Sequence, residues 1–366
     1  MKTSRFKPIL ALLGTIIAIH LMTMAAGKEF FLTQLTMTAY YSLIVIGLCL
    51  LMGFAGQISL GHAGFFAIGG YTSAVLTTLN LIAYKDLVFV ELLTRLHILT
   101  VRQDLYGGTV LNVHPWAACI VAVLLALVIA YAIGIPVLRL KGHYLAMATL
   151  GFGTIIFSFV LGTQRFGAAD GISSVPPFPL VPGVSVSGSS SLRVVNYYFS
   201  WVLVTAAMVL LVNLINSRVG RALRAIHGAE DASNAMGIDT SRYKLYTFMV
   251  SAVLASVAGV FLTHFNGGIG PSEASIMKSV RYVAIVAVGG MGSLWGTLIM
   301  SVLLNFFSLR GYFGTFDDAV FGGILIFIML FAPDGIMGSD LRVMASKLVP
   351  GTWRKVNIKS EKTNFK

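Results

Sequence analysis

The chain has 366 residues, of which 57% are hydrophobic and only 11% are charged, and its formal net charge is +12. A soluble domain carries about 25% charged residues, so this chain has too few to cover an aqueous surface, and we expect a membrane protein. The positive charge does not indicate nucleic acid as a partner. Lys and Arg lie between apolar segments, as they do in cytoplasmic loops beside membrane lipid.

Ten apolar segments are candidate membrane-spanning helices, since about 20 apolar residues in a helix cross about 30 Å of hydrocarbon. We therefore predict an all-α, polytopic membrane protein with about ten transmembrane helices, some of them interrupted by glycine. In chain order the segments are 8–26, 35–52, 57–83, 114–138, 143–163, 196–216, 245–266, 281–291, 293–309 and 318–333.

The number of crossings depends on segments 281–291 and 293–309, which form one apolar stretch interrupted by Gly289, Gly290 and Gly292. A single helix there gives nine crossings in all, whereas two helices give ten. Ten crossings place both basic termini on the cytoplasmic side, as the positive-inside rule favours, so we predict two helices. Segment 281–291 is too short to span alone and is expected to be a half-helix shielded by protein.

The first segment has a second interpretation, a signal peptide, because its apolar run follows a basic start and ends at Met24-Ala25-Ala26-Gly27. The run is long for a signal peptide, so a spanning helix is favoured. The orientation of everything downstream is the same in both cases.

Residues 1–338 are predicted to form a single transmembrane domain, followed by a basic cytoplasmic tail, 339–366. The extracytoplasmic loop 164–195 is rich in Gly, Ser and Pro, and is predicted to be ordered without long helices. The extracytoplasmic loop 84–113 mixes charged residues with leucines three residues apart, which predicts a short interfacial helix. These leucines are Leu93, Leu96 and Leu99.

The segment from Gly53 to Tyr71 contains several glycines around three polar residues. Each glycine weakens a helix by about 1 kcal/mol, which predicts an interrupted helix whose free backbone groups meet a polar solute. The alternative is close helix packing through small residues, which the pattern alone slightly favours. The predicted solute pathway comprises Gln57, Ser59, Gly61, His62, Gly151, Gly153, Gly289, Gly290 and Gly292. The isolated His20 and His264 are predicted to be packed or interfacial residues.

The basic loop 217–244 is predicted to be cytoplasmic and contains a candidate docking element. A short helix is expected from Glu230 to Met236, ended by Gly237 as its C-cap. Small residues at 229, 232, 233 and 235 leave a helix face that fits a groove of a partner. The alternative is an ordinary basic loop.

Catalytic and energy-converting motifs are absent from the sequence. No G-x-x-x-x-G-K-[ST] pattern for ATP binding, no Cys/His metal spacing and no G-x-S-x-G pattern occurs, so an enzyme is not expected. Cys49 and Cys119 lie inside apolar segments, and no disulfide is expected. None of the 14 acidic residues falls in the middle of a predicted span. An ion-coupled carrier is therefore disfavoured, and another energy source is implied.

Seven stretches of the sequence occur in a fixed order: 56–63, 138–146, 149–153, 220–226, 235–238, 242–244 and 289–296. On these stretches, from about residue 35 to residue 338, the chain resembles a known family. It is the permease family of branched-chain amino acid ATP-binding-cassette importers, of the LivH and LivM type and nearest to LivM. Urea importer permeases are related to it.

The resemblance implies an import permease in a bacterial inner membrane, for branched-chain or related small amino acids or, alternatively, for urea or an amide. It implies no cofactor in this chain, ATP and Mg on separate ATPase subunits, a second homologous permease and a periplasmic solute-binding protein. It also assigns segment 228–237 to docking on the ATPase. The predicted coupling residues are Gly220, Arg221, Arg224, Glu230, Ala232, Met236 and Gly237.

Two loops depart from the family pattern. Segment 81–113 is longer than the usual connection, and Gly167-Ala168-Ala169-Asp170-Gly171 stands where the family usually has Thr-Gly-Gly. Neither the docking mode of a binding protein nor a substrate preference is therefore transferred from these loops.

Overall fold

A computed structural model describes residues 7–82, 94, 98–103, 109–140 and 142–331. Within these residues the protein is mainly helical, with twelve α-helices and three two-stranded antiparallel sheets. The helices are α1 Lys7–Ala25, α2 Phe30–Cys49, α3 His62–Thr78, α4 Pro115–Val137, α5 His143–Gly162, α6 Arg193–Asn216, α7 Arg218–Gly228, α8 Glu230–Ala235, α9 Thr240–Asn266, α10 Ile276–Gly289, α11 Leu294–Leu309 and α12 Asp317–Phe331. The strands are β1 Leu99–Gln103, β2 Thr109–Val113, β3 Ile172–Ser173, β4 Phe178–Val181, β5 Val184–Val186 and β6 Gly268–Ile269.

Each of the ten predicted spans overlaps one described helix, namely α1 to α6 and α9 to α12. Six of the described helices are long and apolar enough to cross a membrane unaided. The others, α3, α10, α11 and α12, have between 14 and 17 residues. The prediction of a polytopic all-α membrane protein is confirmed.

The predicted span 57–83 was wrong at its start. Helix α2 continues through a π-helical turn, Leu50–Phe54, and the helical residue Ala55, and the chain is then non-helical from Gly56 until α3 begins at His62. Gly56 has a φ of +67°, a conformation that interrupts a right-handed helix and that glycine adopts without steric cost. We call residues 56–61 the break segment.

The apolar stretch after residue 280 forms two helices, as predicted. Helix α10 begins at Ile276, five residues before the predicted start, and α11 begins at Leu294. Gly290 lies between them with a φ of +94°, which a residue with a side chain rarely adopts. At 1.5 Å per residue, α10 is about 21 Å long, too short to cross about 30 Å of hydrocarbon alone.

The prediction of an interfacial helix in loop 84–113 was wrong at Leu99. That leucine lies in β1, which pairs with β2 in a hairpin, Leu99 opposite Val113. Leu99 and Leu111 are buried together on one face, the alternating pattern of a strand. The spacing of three residues favoured a helix, but pairing with a strand ten residues away determines the structure. Leu93 and Leu96 lie outside the described residues.

Loop 164–195 contains no long helix before α6 begins at Arg193, in agreement with the prediction. Its strands are short: β4 pairs with β5 inside the loop, and β3 pairs with β6, which follows α9. The loop is therefore joined to the end of α9. We call this side of the molecule, together with the β1–β2 hairpin, the hairpin end, and the opposite side the α7–α8 end.

The centre of the molecule is the contact between α3 and α9, where two backbones touch. A Cβ atom on Gly69 would lie 2.2 Å from the carbonyl oxygen of Ser256, and one on Gly259 would lie 2.1 Å from that of Phe66. Neither position tolerates a side chain. Small residues at helix contacts allow this approach in membrane proteins, so the packing interpretation of the sequence applies here.

The two isolated histidines are packed residues, as predicted. His264 is buried and forms hydrogen bonds of 2.7 Å with Ser73 Oγ and 2.6 Å with the carbonyl of Pro176. His20 of α1 lies 2.8 Å from the hydroxyl of Tyr198 on α6. Both side chains join elements of the fold.

Candidate functional site

The two glycine-rich interruptions, far apart in the sequence, lie against each other. A Cβ on Gly53 would lie only 1.5 Å from the carbonyl oxygen of Met291. The Cys49 thiol donates to the same oxygen at 3.4 Å and accepts from the Thr297 hydroxyl at 3.3 Å. The turn that ends α2 and the turn between α10 and α11 therefore form one tightly packed unit.

His62 joins the break segment to α9. The imidazole is buried, with Nδ1 3.1 Å from Ser59 Oγ and Nε2 2.7 Å from Ser251 Oγ. Ser59 and His62, both predicted pathway residues, are thus in direct contact and both ring nitrogens have partners. The two hydrogen bonds of His62 have a structural role, because they hold the non-helical backbone of the break segment against α9.

Gln57 is different from its neighbours in the break segment. Its side chain is buried, yet neither the amide oxygen nor the amide nitrogen has a hydrogen-bond partner among the described residues. A buried polar group left unpaired costs about 1–3 kcal/mol. An amide with one free donor group and one free acceptor at a helix interruption is a candidate contact for a polar ligand.

Helix α5 covers the other side of the break segment. The Thr149 hydroxyl accepts from the backbone N–H of Leu60 at 3.0 Å, and a Cβ on Gly61 would lie 2.7 Å from the Thr149 carbonyl oxygen. A Cβ on Gly153 would lie 3.5 Å from the Leu60 oxygen. Gly61 and Gly153 therefore belong to the same site as Gln57.

The remaining predicted pathway glycines divide into two kinds. Gly289 contacts α11, because a Cβ there would lie 2.5 Å from the Cα of Thr297, and Gly290 forms the turn. Gly151 and Gly292 have no atom within 4 Å of an added Cβ among the described residues. The structure thus leaves space for a side chain at Gly151 and at Gly292, although the backbone nitrogen of Gly292 lies 3.4 Å from a Cβ on Gly53.

At the α7–α8 end, the short helix α8 is positioned by an ion pair. Lys244 Nζ, whose side chain is only 8% exposed, lies 2.5 Å from Glu230 Oε1, and this joins α8 to the first turn of α9. Gly237, with a φ of +84°, follows the end of α8, as the sequence predicted for a C-cap. Met236 is 83% exposed and Ala232 is also exposed.

The docking face predicted from the small residues needs one correction. Ser233 is buried and donates to the carbonyl of Ala229 at 2.9 Å, so it points inward. The outward side of α8 contains Ala232 and Ala235, followed by Met236. A small, exposed and partly apolar surface remains.

Helix α7 connects this surface with the break segment. A Cβ on Gly220 would lie 2.0 Å from the carbonyl oxygen of Ile215, so only glycine fits the corner between α6 and α7. Arg221 and Arg224 are exposed, while the apolar face of α7 is buried. At the end of α7, the His227 Nδ1 atom would lie 3.0 Å from a Cβ on Gly56. The end of α7 therefore lies against the break segment.

Sequence reasoning missed two hydroxyl partners of the break segment, Thr149 and Ser251. Single hydroxyl residues inside apolar helices have no distinguishing pattern, and only tertiary structure shows which of them meet a polar group. The glycines indicated the site in the sequence, whereas no sequence pattern indicated its hydroxyl partners Thr149 and Ser251.

Interrupted helices, packed through glycine and joined to an exposed helical loop at one end, define a multi-pass membrane transport subunit. Residues 30–331 match the family described as branched-chain amino acid transport system, permease component, and the chain belongs to that family. As a transport permease it is not an enzyme.

Individual relatives agree with the family. The permease protein LivM of the high-affinity branched-chain amino acid transport system of Salmonella typhimurium is 30% identical over 82% of this chain and 68% of its own length. The LivH permease of the corresponding system of Escherichia coli is 29% identical, over 84% of this chain and 96% of its own. The permease BraD of Pseudomonas aeruginosa is 27% identical, over 83% and 93%. No solved structure matches the chain significantly.

Proposed function

We propose that the chain is the permease subunit of an ATP-driven importer that moves branched-chain or related small amino acids across a bacterial inner membrane. The contact between His227 at the end of α7 and Gly56 in the break segment is the observation that supports this mechanism most directly. It joins an exposed loop, suited to a motor protein, with an interrupted helix, suited to a solute path.

The mechanism assigns the α7–α8 end and both termini to the cytoplasm. ATPase subunits, which bind ATP and Mg, dock on the outward side of α8 and beside the exposed Arg221 and Arg224. Closure of the ATPases displaces α7, and the displacement reaches the break segment through Gly56. The packed contact between Gly53 and Met291 makes the end of α2 and the turn between α10 and α11 move together.

The hairpin end faces a solute-binding protein in the periplasm, and a second, homologous permease completes the membrane unit. Two of the relatives support this pairing, since LivM and LivH are both permeases of high-affinity branched-chain amino acid systems. The chain comprises one transmembrane domain, 1–338, with a basic cytoplasmic tail, 339–366, which lies outside the described residues.

Two alternatives lead to different observations. A urea or amide importer would use the same fold, but the relatives named for their substrate are branched-chain amino acid permeases. An autonomous secondary carrier would take up solute in liposomes that contain this chain alone, driven by an ion gradient.

The test is ATP-driven uptake of labelled leucine by proteoliposomes that contain the whole complex. Replacing Ala232 and Ala235 by Arg adds charge and bulk to the docking face without filling a buried site. We expect uptake to fall by about tenfold or more, because mismatched charge in an interface costs several kcal/mol. Gln164→Arg, an equally exposed position at the hairpin end, is the control and should keep ATPase association. Unchanged uptake in the Ala232→Arg/Ala235→Arg variant would refute the docking assignment.

A second prediction concerns Gln57, whose unpaired amide lies in the break segment. Gln57→Leu removes an unpaired polar group, so the thermal stability of the protein should stay constant or rise by about 1 kcal/mol. Uptake should nevertheless fall by about tenfold if the amide contacts the solute. The pair of measurements, thermal unfolding in detergent and leucine uptake, separates packing from transport. Lower stability together with normal uptake would exclude a solute contact.

A further inference from the structure

A charged cluster lies apart from the break segment, between α2 and the start of α10. Glu273 Oε1 accepts a hydrogen bond from the Tyr41 hydroxyl at 3.0 Å and pairs with Lys278 Nζ at 3.0 Å. The ammonium group also donates to the Tyr41 oxygen at 3.3 Å and lies 4.8 Å from the centre of the same ring. The Glu273 and Lys278 side chains remain 19% and 23% exposed, so another molecule can reach them.

This cluster lies beside the middle of a helix that is long and apolar enough to cross a membrane. Tyr41 lies in the continuous helical stretch Phe30–Phe54. At 1.5 Å per residue, it is about 16 Å from one end of that stretch and about 20 Å from the other. An acid and a base in the middle of the hydrocarbon are costly and in membrane proteins usually mark the path of a solute or ion.

The cluster has unused hydrogen-bonding capacity. The second carboxylate oxygen of Glu273 is buried without a hydrogen-bond partner in the described part of the chain. The same is true of the hydroxyl of Tyr282, whose ring centre lies 6.4 Å from that of Tyr41. One free acceptor and one free hydroxyl therefore lie beside an ion pair that already has its internal contacts. Unpaired buried polar groups of this kind call for a partner.

Aromatic rings form the apolar side of the cluster. The Tyr41 ring stacks on Phe66, with centroids 6.2 Å apart, and lies 6.4 Å from the ring of Tyr282. Phe66 belongs to α3, one turn beyond His62. The backbone N–H of Ala63 donates to Ser279 Oγ of α10 at 3.3 Å, so the helix that carries Lys278 is joined to the start of α3.

We propose that Glu273 and Lys278 form a mid-membrane binding site for a zwitterionic solute. Glu273 binds the solute ammonium group and Lys278 binds its carboxylate. Without solute, Glu273 and Lys278 neutralise each other. When the solute binds, Glu273 pairs with the solute ammonium group and Lys278 pairs with the solute carboxylate. A neutral solute such as urea offers no charge in exchange. The inference rests on the proposed function and selects an amino acid as its substrate.

The experiment uses proteoliposomes that contain the whole complex with its leucine-loaded binding protein. We measure leucine uptake and ATP hydrolysis for Glu273→Gln and Lys278→Gln, and for the conservative Glu273→Asp and Lys278→Arg. Each Gln variant should lose uptake by about tenfold or more, because a charge-assisted contact to the solute is removed. ATP hydrolysis should stay within about twofold, since neither residue lies at the α7–α8 end. The conservative variants should retain part of the uptake.

A second ion pair on α10 is the matched control. Arg281 pairs with Asp317 of α12, and the Ser308 hydroxyl also donates to that carboxylate. Arg281→Gln should reduce the amount of assembled complex but leave the leucine transported per ATP unchanged. The binding site is refuted if Glu273→Gln and Lys278→Gln only reduce the amount of assembled complex and leave the leucine transported per ATP unchanged. It is also refuted if both variants transport leucine normally. If the wild-type complex hydrolyses ATP but takes up no leucine, the proposed function is refuted instead.

Discussion

Replacing Gly53 by Ala is expected to abolish the folded protein. The added Cβ would lie 1.5 Å from the carbonyl oxygen of Met291, a backbone atom that no change of side-chain rotamer can move. Overpacking of a core costs about 1–3 kcal/mol, occasionally more, and this contact joins two rigid turns, so we expect the upper end or beyond. The measurement is the amount of monodisperse protein in detergent, with the midpoint of its thermal unfolding.

Two glycines provide matched controls for Gly53→Ala. Gly292 lies next to Met291 and Gly151 lies inside α5, and no atom of the described residues lies within 4 Å of a Cβ added at either position. Gly292→Ala should leave stability unchanged. Gly151→Ala should raise it by up to about 1 kcal/mol, because alanine is favoured over glycine within a helix. A Gly53→Ala variant as stable as Gly151→Ala would contradict the packed contact between the two interruptions.

The positions of the membrane helices could be predicted from the sequence because apolar length is a local property. The hairpin β1–β2 could not, since Leu99 is placed by its pairing with a second strand and not by its neighbours. The start of α3 was placed too early for a related reason. Gln57 and Ser59 lie among apolar residues, and only the backbone at Gly56 shows where the helix stops.

The candidate sites differ in how visible they are in the sequence. Glycines drew attention to both interruptions, but their contact through Gly53 and Met291 is a property of the tertiary structure. Glu273 gave no signal, because it lies outside every predicted span and only its bond to Tyr41 places it beside the middle of α2. A segment between two helices, such as the one that contains Glu273, therefore also reaches the interior of the protein.

Gly237→Arg is expected to disconnect the permease from its motor while the protein still inserts. Gly237 has a φ of +84°, and a residue with a side chain pays about 1–2 kcal/mol in the left-handed region. Helix α8 has only six residues, so a strain of this size at its end shifts its position or melts it. Since 1.4 kcal/mol is a factor of ten in an equilibrium, ATP-driven uptake should fall by about tenfold or more.

Strain and location can be separated with two further variants. Gly237→Asn should retain most of the uptake, because asparagine is the residue after glycine that best tolerates this helix-ending conformation. Gly183→Arg introduces the same backbone strain, because Gly183 has a φ of +86°. No atom of the described residues lies within 4 Å of the new Cβ. Gly183 lies in the β4–β5 turn at the hairpin end, far from α8 in the sequence. Gly183→Arg should therefore still bind the ATPase in a pull-down from membranes, whereas Gly237→Arg should not. If Gly237→Arg bound the ATPase as well as Gly183→Arg does, α8 would not be the docking element. If both variants lost ATPase binding, the loss would follow from backbone strain and not from the position of α8.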